Sequence, residues 1–277
     1  MRINKFISES GLCSRREADR WIAAGRVSCN GITATLGTPV EPGDDVRIDG
    51  VPLRARRPAV YIALNKPVGI TSTTEPDVAG NIVDLVGHAE RIFPVGRLDK
   101  DSEGLILLTN DGDIVNEILR VENAHEKEYV VAVDRPITPM TLALMRSGVR
   151  IRGQMTRPCR AERIDDRRFR IVLTQGLNRQ IRRMCSALGY RVQQLRRVRI
   201  SNIHLEDLPP GHWRPLTAAE LAGLLPARFA AASPDQPPRN ASAGTPSVQR
   251  RPAAARQSGS CALNANQRKK SGPRPGQ

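Results

Sequence analysis

The chain has 277 residues, with 43 Lys and Arg against 28 Asp and Glu, for a formal net charge of +15. So large a surplus favours an anionic partner, either nucleic acid or an anionic membrane. No apolar run approaches the roughly 20 residues that a membrane span needs, and Met1-Arg2-Ile3-Asn4-Lys5-Phe6 lacks the apolar core of a secretory leader; nucleic acid is the expected partner, with no membrane, and the expected location is the cytoplasm.

Residues 1–57 read as a small module. Ile3, Phe6 and Ile7 recur at helical spacing, and Gly11 can close that helix. Ser14-Arg15-Arg16-Glu17 is a capping box that opens a second helix and turns Ala18, Trp21 and Ile22 inward. Arg26 to Cys29 predicts a strand, Asn30-Gly31 a tight hairpin turn, and Glu41-Pro42-Gly43-Asp44 a second turn before the alternating strand at Val46 and Ile48. The polar faces keep Lys5, Arg15, Arg16, Arg20 and Arg26.

Arg54 to Pro58 reads as a linker. Residues 59–228 then mix strands with helices. Tyr61 to Leu64, Ile106 to Leu108 and Tyr129 to Val133 predict buried strands. Thr141 to Ser147 and Asn178 to Leu188 predict helices, the second with Ile181, Met184, Cys185 and Leu188 on one face. The pattern is that of an α+β domain on a mixed sheet. From residue 229 the composition shifts to Ala, Pro, Ser, Gly, Gln and Arg, with eight Lys and Arg beyond Arg228 against the single acid Asp235. Such a segment buries too little to offset its ordering entropy, so residues 229–277 are expected to be a disordered basic tail. Its charge suits weak attraction to RNA or simple solubility equally.

Cys13, Cys29, Cys159, Cys185 and Cys261 are scattered, no CxxC occurs, and the four histidines stand apart. Metal-ligand spacing is absent, so no metal is expected and the thiols read as reduced.

Three segments carry possible chemistry. Gly96-Arg97-Leu98-Asp99-Lys100-Asp101-Ser102-Glu103-Gly104 leads polar groups and glycines into an apolar strand, which suits an acid held on a rigid element. Alone, an Asp at a turn is more often a cap. Glu126-Lys127-Glu128-Tyr129 opens a strand with one of only nine aromatic residues, suited to stacking on a base or to a place at the core's edge. Gln175 to Arg199 holds Arg179, Arg182, Arg183, Arg191, Arg196, Arg197 and Arg199 without a single acid. A solvated helix face normally mixes signs, so this run points to phosphate contacts.

In this order, these segments resemble bacterial ribosomal pseudouridine synthases of the RsuA/RluB/RluE/RluF family. The resemblance rests on Leu64-Asn65-Lys66-Pro67-Val68-Gly69, on Gly96-Arg97-Leu98-Asp99 running into Gly104 to Gly112, on Glu126 to Tyr129, and on Gly176 to Met184. Residues 2–50 resemble the S4 RNA-binding module. The likeness covers about residues 1–225, with the RluF branch nearest and Ser102 standing where many relatives have threonine. It implies an S4-like module over 1–57 and a pseudouridine synthase domain over 59–228 on a mixed, mainly antiparallel sheet. It implies an isomerase without metal or organic cofactor, acting as a single chain on large-subunit ribosomal RNA. Within the family, the alternative is a sibling's target uridine, or transfer RNA in addition.

The resemblance also implies site roles. Asp99 is the catalytic carboxylate, adding to the sugar or removing a sugar proton. Tyr129 stacks on the flipped uracil and assists proton transfer. Arg182 pairs with Asp99 and favours its ionised form. Lys66 and Pro67 shape the site, while Lys5, Arg15, Arg16, Arg20, Arg97, Arg179 and Arg183 meet RNA. A non-catalytic RNA-binding protein or ribosome-assembly factor would account for the first module but not for the motifs after residue 59.

Overall fold

The computed structural model describes residues 1–53, 58–119 and 125–229. The chain begins with α1 (Ile3–Glu9) and α2 (Arg15–Ala23). The Ser14 hydroxyl accepts from the Glu17 amide at 3.2 Å, supplying the expected cap. β1 (Val27–Cys29) passes through Asn30 and Gly31, at φ 51° and 80°, into β2 (Ile32–Thr33). Two consecutive positive φ angles are what an Asn-Gly hairpin turn requires. β3 (Val46–Ile48) and β4 (Val51–Pro52) complete a sheet of order β2-β1-β3-β4. Ile3, Ile7, Ala18, Ile22, Val27 and Val46 form its core. Trp21, expected inward, is only half-buried, with the Arg26 guanidinium 5.3 Å from its ring centre. Most of the linker reading, residues 54–57, lies outside the described residues, as does the tail from residue 230.

Next come β5 (Tyr61–Lys66), α3 (Ile82–Val86), β6 (Phe93–Val95), β7 (Glu103–Thr109) and α4 (Asp113–Leu119). β5 and β7 pair antiparallel, and both are covered on two faces. Ala63, Leu105 and Leu107 pack with Ile114 and Ile118 of α4, while Ile62, Leu64, Ile106 and Leu108 pack with Ile82 and Val86 of α3. Burial on both faces explains why these strands read as unbroken apolar runs.

β8 (Lys127–Val133), α5 (Pro139–Ser147), β9 (Arg150–Ile151), β10 (Gln154–Met155), β11 (Arg160–Arg163), β12 (Arg168–Leu173), α6 (Gln180–Ala187) and β13 (Val192–Ile200) follow. β8 differs from the buried strand expected of it. Val131 and Val133 enter the core beside Phe169 and Ile171, but the alternate face carries Glu128, in ion pairs with Arg170 at 3.1 Å and Arg199 at 2.8 Å. α6 also begins later than expected. Arg179 takes a left-handed conformation, φ 51° and ψ 36°, and acts as the N-cap instead of joining the helix.

β14 (Ile203–His204), β15 (Trp213–Pro215), α7 (Ala218–Leu224) and α8 (Pro226–Phe229) end the described chain. The large sheet runs β11-β12-β8-β13-β7-β5-β15, with β14 joined to β13 and β6 to β7. Its pairings are antiparallel except that of β13 with β7, which sets Arg197 opposite Gly104. The architecture is therefore α+β on a mixed, mainly antiparallel sheet, as expected. α4 is a meeting point of the first and last described helices: Lys5 Nζ of α1 lies 2.5 Å from Asp113 Oδ1, and Arg228 of α8 lies 2.9 Å from Glu117 Oε1.

Candidate active site

A cleft of about 500 Å³ opens over the middle of the large sheet. One wall is the segment Val95 to Asp99 with Ile118 and Leu119 of α4. The other is Leu173 to Ile181, and Lys127, Tyr129, Leu195 and Arg197 lie along its floor. Its volume falls in the usual range for small-ligand sites, roughly 300–1,000 Å³.

Asp99 sits on the loop between β6 and β7, its side chain one-third exposed. The loop is held from three directions. The Ser72 hydroxyl donates to the Leu98 carbonyl at 2.8 Å, the Ser102 amide to the Asp99 carbonyl at 3.0 Å, and the Gly69 amide to the Lys100 carbonyl at 2.8 Å. Gly69 lies at φ 91°, a conformation that glycine tolerates without strain. Before it, Lys66 is fully buried and its ammonium donates to the Pro67 and Ile70 carbonyls, at 2.9 Å each. The Lys66–Pro67 turn thus forms the support behind the Asp99 loop. Burial, with the Arg197 charge second, pulls the Lys66 ammonium down to about 8.

The arginines differ from expectation. Arg182 does not pair with Asp99. Its Nη2 donates to the Asp101 carbonyl at 2.6 Å and to the Ser102 hydroxyl at 3.2 Å, and its Nε lies 3.3 Å from Asp101 Oδ2 without hydrogen-bond geometry. The guanidinium at Asp99 belongs to Arg179, whose Nη1 is 3.7 Å from Asp99 Oδ2. Arg179 also forks onto Asp101 at 2.9 and 2.8 Å, which holds the Asp101 carboxyl below the usual carboxylate range. The reason is local. A left-handed N-cap takes Arg179 out of helical phase, so its side chain reaches across to the Asp99 loop, whereas Arg182 follows the helix and meets the loop's main chain. Arg183 bonds Asn178 within its own segment.

Tyr129 is half-buried on β8, directly opposite Arg197 of β13, whose guanidinium carbon is 6.0 Å from the ring centre. Arg97 is exposed at the mouth of the cleft. Among the N-terminal cations, Arg16 and Arg20 are exposed, Arg15 reaches Asn4 at 3.4 Å, and Lys5 is engaged with Glu9 and Asp113. Three cleft residues were missed in the sequence. Lys127 is pulled down to about 8 by burial and then by Arg197. Gln180 is buried and accepts the Leu177 amide at 3.1 Å, fixing the loop before α6. Arg197 is 4% exposed and lay unremarked within the long arginine run.

Among the described residues no group of three or more His, Cys, Asp or Glu converges to hold a metal, and no helix is long and apolar enough to cross a membrane. Burial pushes the Cys13 thiol up to about 11 and that of Cys185 up to about 12, so neither is readily ionised. Cys261 lies outside the described residues.

Residues 60–187 match the family model for RNA pseudouridylate synthase, and residues 1–46 match the S4 domain. The chain is 56% identical over 226 residues to the dual-specificity RNA pseudouridine synthase RluF of Escherichia coli K12, covering 81% of this chain and 78% of that one. An RNA pseudouridine synthase of Aquifex aeolicus is 38% identical, with 82% and 94% covered. A crystal structure of a pseudouridylate synthase superposes with a TM-score of 0.61 at 30% identity, covering 81% of this chain and 99% of that one. By sequence, by fold and by the order of its two matched domains, the chain belongs to the RNA pseudouridine synthase family, in its S4-bearing RluF-type branch.

Proposed function

We propose that the protein converts a uridine of large-subunit ribosomal RNA to pseudouridine, with Asp99 as the indispensable catalytic residue. The observation that carries this reading is the cleft itself. It gathers Asp99, Tyr129 and Arg179 from three separated motifs onto one supported surface. Isomerisation breaks the bond between uracil N1 and ribose C1′, turns the base, and rejoins it through C5. Asp99 either adds to C1′ or removes a sugar proton to give a glycal, and both routes use an anionic carboxylate. Arg179 sets its guanidinium 3.7 Å from that carboxylate and reaches Asp101 as well. Arg182 positions the loop through its main chain. Tyr129 offers a stacking face to a base turned out of its helix, and its hydroxyl is the nearby candidate for proton transfer at C5.

The protein works as a single chain without metal or organic cofactor. Its N-terminal module, with Arg15, Arg16 and Arg20, and the cleft-mouth residues Arg97 and Arg183 contact flanking RNA. The target we assign is the uridine-2604 type of site in 23S rRNA. The dual specificity in the relatives' name supports a second RNA, for which transfer RNA is the candidate. The test is chemical mapping of pseudouridine in ribosomal and transfer RNA from cells with and without the gene. Loss of one 23S rRNA pseudouridine supports the assignment. An unchanged 23S map overturns it, and loss at a small-subunit site moves the protein to a sibling's task.

A further inference from the structure

One cation in the cleft has no task in the scheme above. Arg197 lies on the central strand β13, between Tyr129 on β8 and Gly104 on β7. Its Nε donates to the Leu105 carbonyl at 2.6 Å. Its Nη2 is closed off from water and has no hydrogen-bond partner. Among the described residues no carboxylate pairs with it. A buried charge with an open donor is costly, and a fold that keeps one has a use for it when a ligand arrives. The backbone there is tightly fixed: a Cβ on Gly104 would stand 2.2 Å from the Arg197 carbonyl oxygen, so only glycine lets the two strands close. Lys127 faces the same cleft, and Lys66 lies just behind it. Both ammonium groups are held down by burial and, second, by the Arg197 charge.

We propose that the Nη edge of Arg197 donates to a carbonyl oxygen of the uracil ring seated at Tyr129, and stabilises the negative charge on that ring once it leaves the sugar. The inference rests on reading the cleft as a pseudouridine-forming site. When the C1′–N1 bond breaks, its electron pair goes to the base and the charge spreads over N1, O2 and O4. The C1′–C5 bond then forms, C5 loses its proton, and a proton returns to N1. A cation already in place when charge develops lowers the barrier without reorganising. The ring's own symmetry makes one fixed donor sufficient. A half-turn about the N3–C6 axis brings C5 to the place of N1 and O4 to the place of O2. Arg197 therefore meets an equivalent oxygen before and after the turn, and need not move.

The test compares Arg197→Gln and Arg197→Lys with the wild type in single-turnover reactions. The substrate RNA carries uridine or 5-fluorouridine at the target, and cleavage of the C1′–N1 bond is read by nucleoside mass spectrometry. Fluorine stabilises the detached ring anion by itself, so it reduces the need for Arg197. Arg197→Gln should slow the uridine reaction by about 100-fold, the usual effect of losing one preorganised donor, with RNA affinity unchanged. The deficit should shrink severalfold on 5-fluorouridine, and Arg197→Lys, which keeps a cation, should lose less than Arg197→Gln. An equal loss on both substrates, or a Gln variant as fast as wild type, overturns the proposal. Melting curves check the fold, and if the Gln variant does not fold, the Lys variant carries the same comparison. A wild-type protein that cleaves the C1′–N1 bond in neither RNA would instead overturn the underlying reading.

Discussion

Gly104→Ala perturbs the point where β13 and β7 meet in parallel. The added Cβ would lie 2.2 Å from the Arg197 carbonyl oxygen, 2.7 Å from its amide nitrogen and 2.9 Å from its carbonyl carbon. These are main-chain atoms of a central strand, so relief requires the strands to part. Gly104 also sits at φ +107°, where an L side chain is strained. Left-handed backbone costs an L residue about 1–2 kcal/mol, and overpacking adds about 1–3 kcal/mol. For a fold of this size the sum lowers Tm by on the order of 10 °C. Gly153→Ala is the control. It has φ +78° but nothing within 4 Å of its Cβ, so it carries the conformational cost alone and should lower Tm by only about 2–8 °C. Thermal melts by circular dichroism, paired with single-turnover assays below both transitions, measure the effect. Gly104→Ala should also slow the reaction in folded protein, because Arg197 shifts with its backbone. Equal Tm losses at Gly104 and Gly153 would refute the steric argument, and full activity in folded Gly104→Ala would refute the link to the site.

Three further outcomes are expected. Arg179→Ala should lower the single-turnover rate more than Arg183→Ala, because only Arg179 reaches both Asp99 and Asp101; equal rates would remove Arg179 from the site. For Lys66 the folded value, about 8, lies below the ordinary 10.5. The unfolded chain therefore holds the extra proton between those values, so Lys66 makes stability rise as pH rises from about 8 to 10.5. Comparing Tm across that window for wild type and Lys66→Met isolates the contribution: the Tm difference, wild type minus variant, should grow with pH, and a difference that stays flat would contradict the buried charge. A chain ending at residue 229 should keep its Tm and target uridine, while its affinity for single-stranded RNA falls less steeply with salt, by about 0.7 log units for each phosphate it no longer neutralises; a changed target would contradict a purely electrostatic tail.

Local signals with a direct physical cause were legible in the sequence. Asn30-Gly31 made the hairpin because both residues tolerate positive φ, and Ser14 capped α2 through its hydroxyl. The unbroken apolar runs of β5 and β7 reported burial on both faces. The motif containing Asp99, and Tyr129 at the start of a strand, both arrived at the cleft. Side-chain reach was not legible. The choice between Arg179 and Arg182 turned on one left-handed residue in a run read as continuous helix, and nothing in Leu177-Asn178-Arg179-Gln180 announces a non-glycine at φ 51°. Arg197 escaped notice because its burial depends on a strand crossing, parallel to β7, that only the assembled sheet creates. A glycine at the start of an apolar strand, Gly104, was the available hint of that close approach.

Every step proposed for the cleft depends on the charge of Asp99. Asp99→Asn keeps the size and shape of the side chain and removes that charge, and its main-chain support from Ser102 is untouched. The decisive measurement is tritium release from C5-labelled uridine in the target RNA under single-turnover conditions, with RNA binding measured alongside. Asp99→Asn should release no tritium above background and should bind RNA nearly as well as the wild type. Release at the wild-type rate would remove Asp99 from the chemistry.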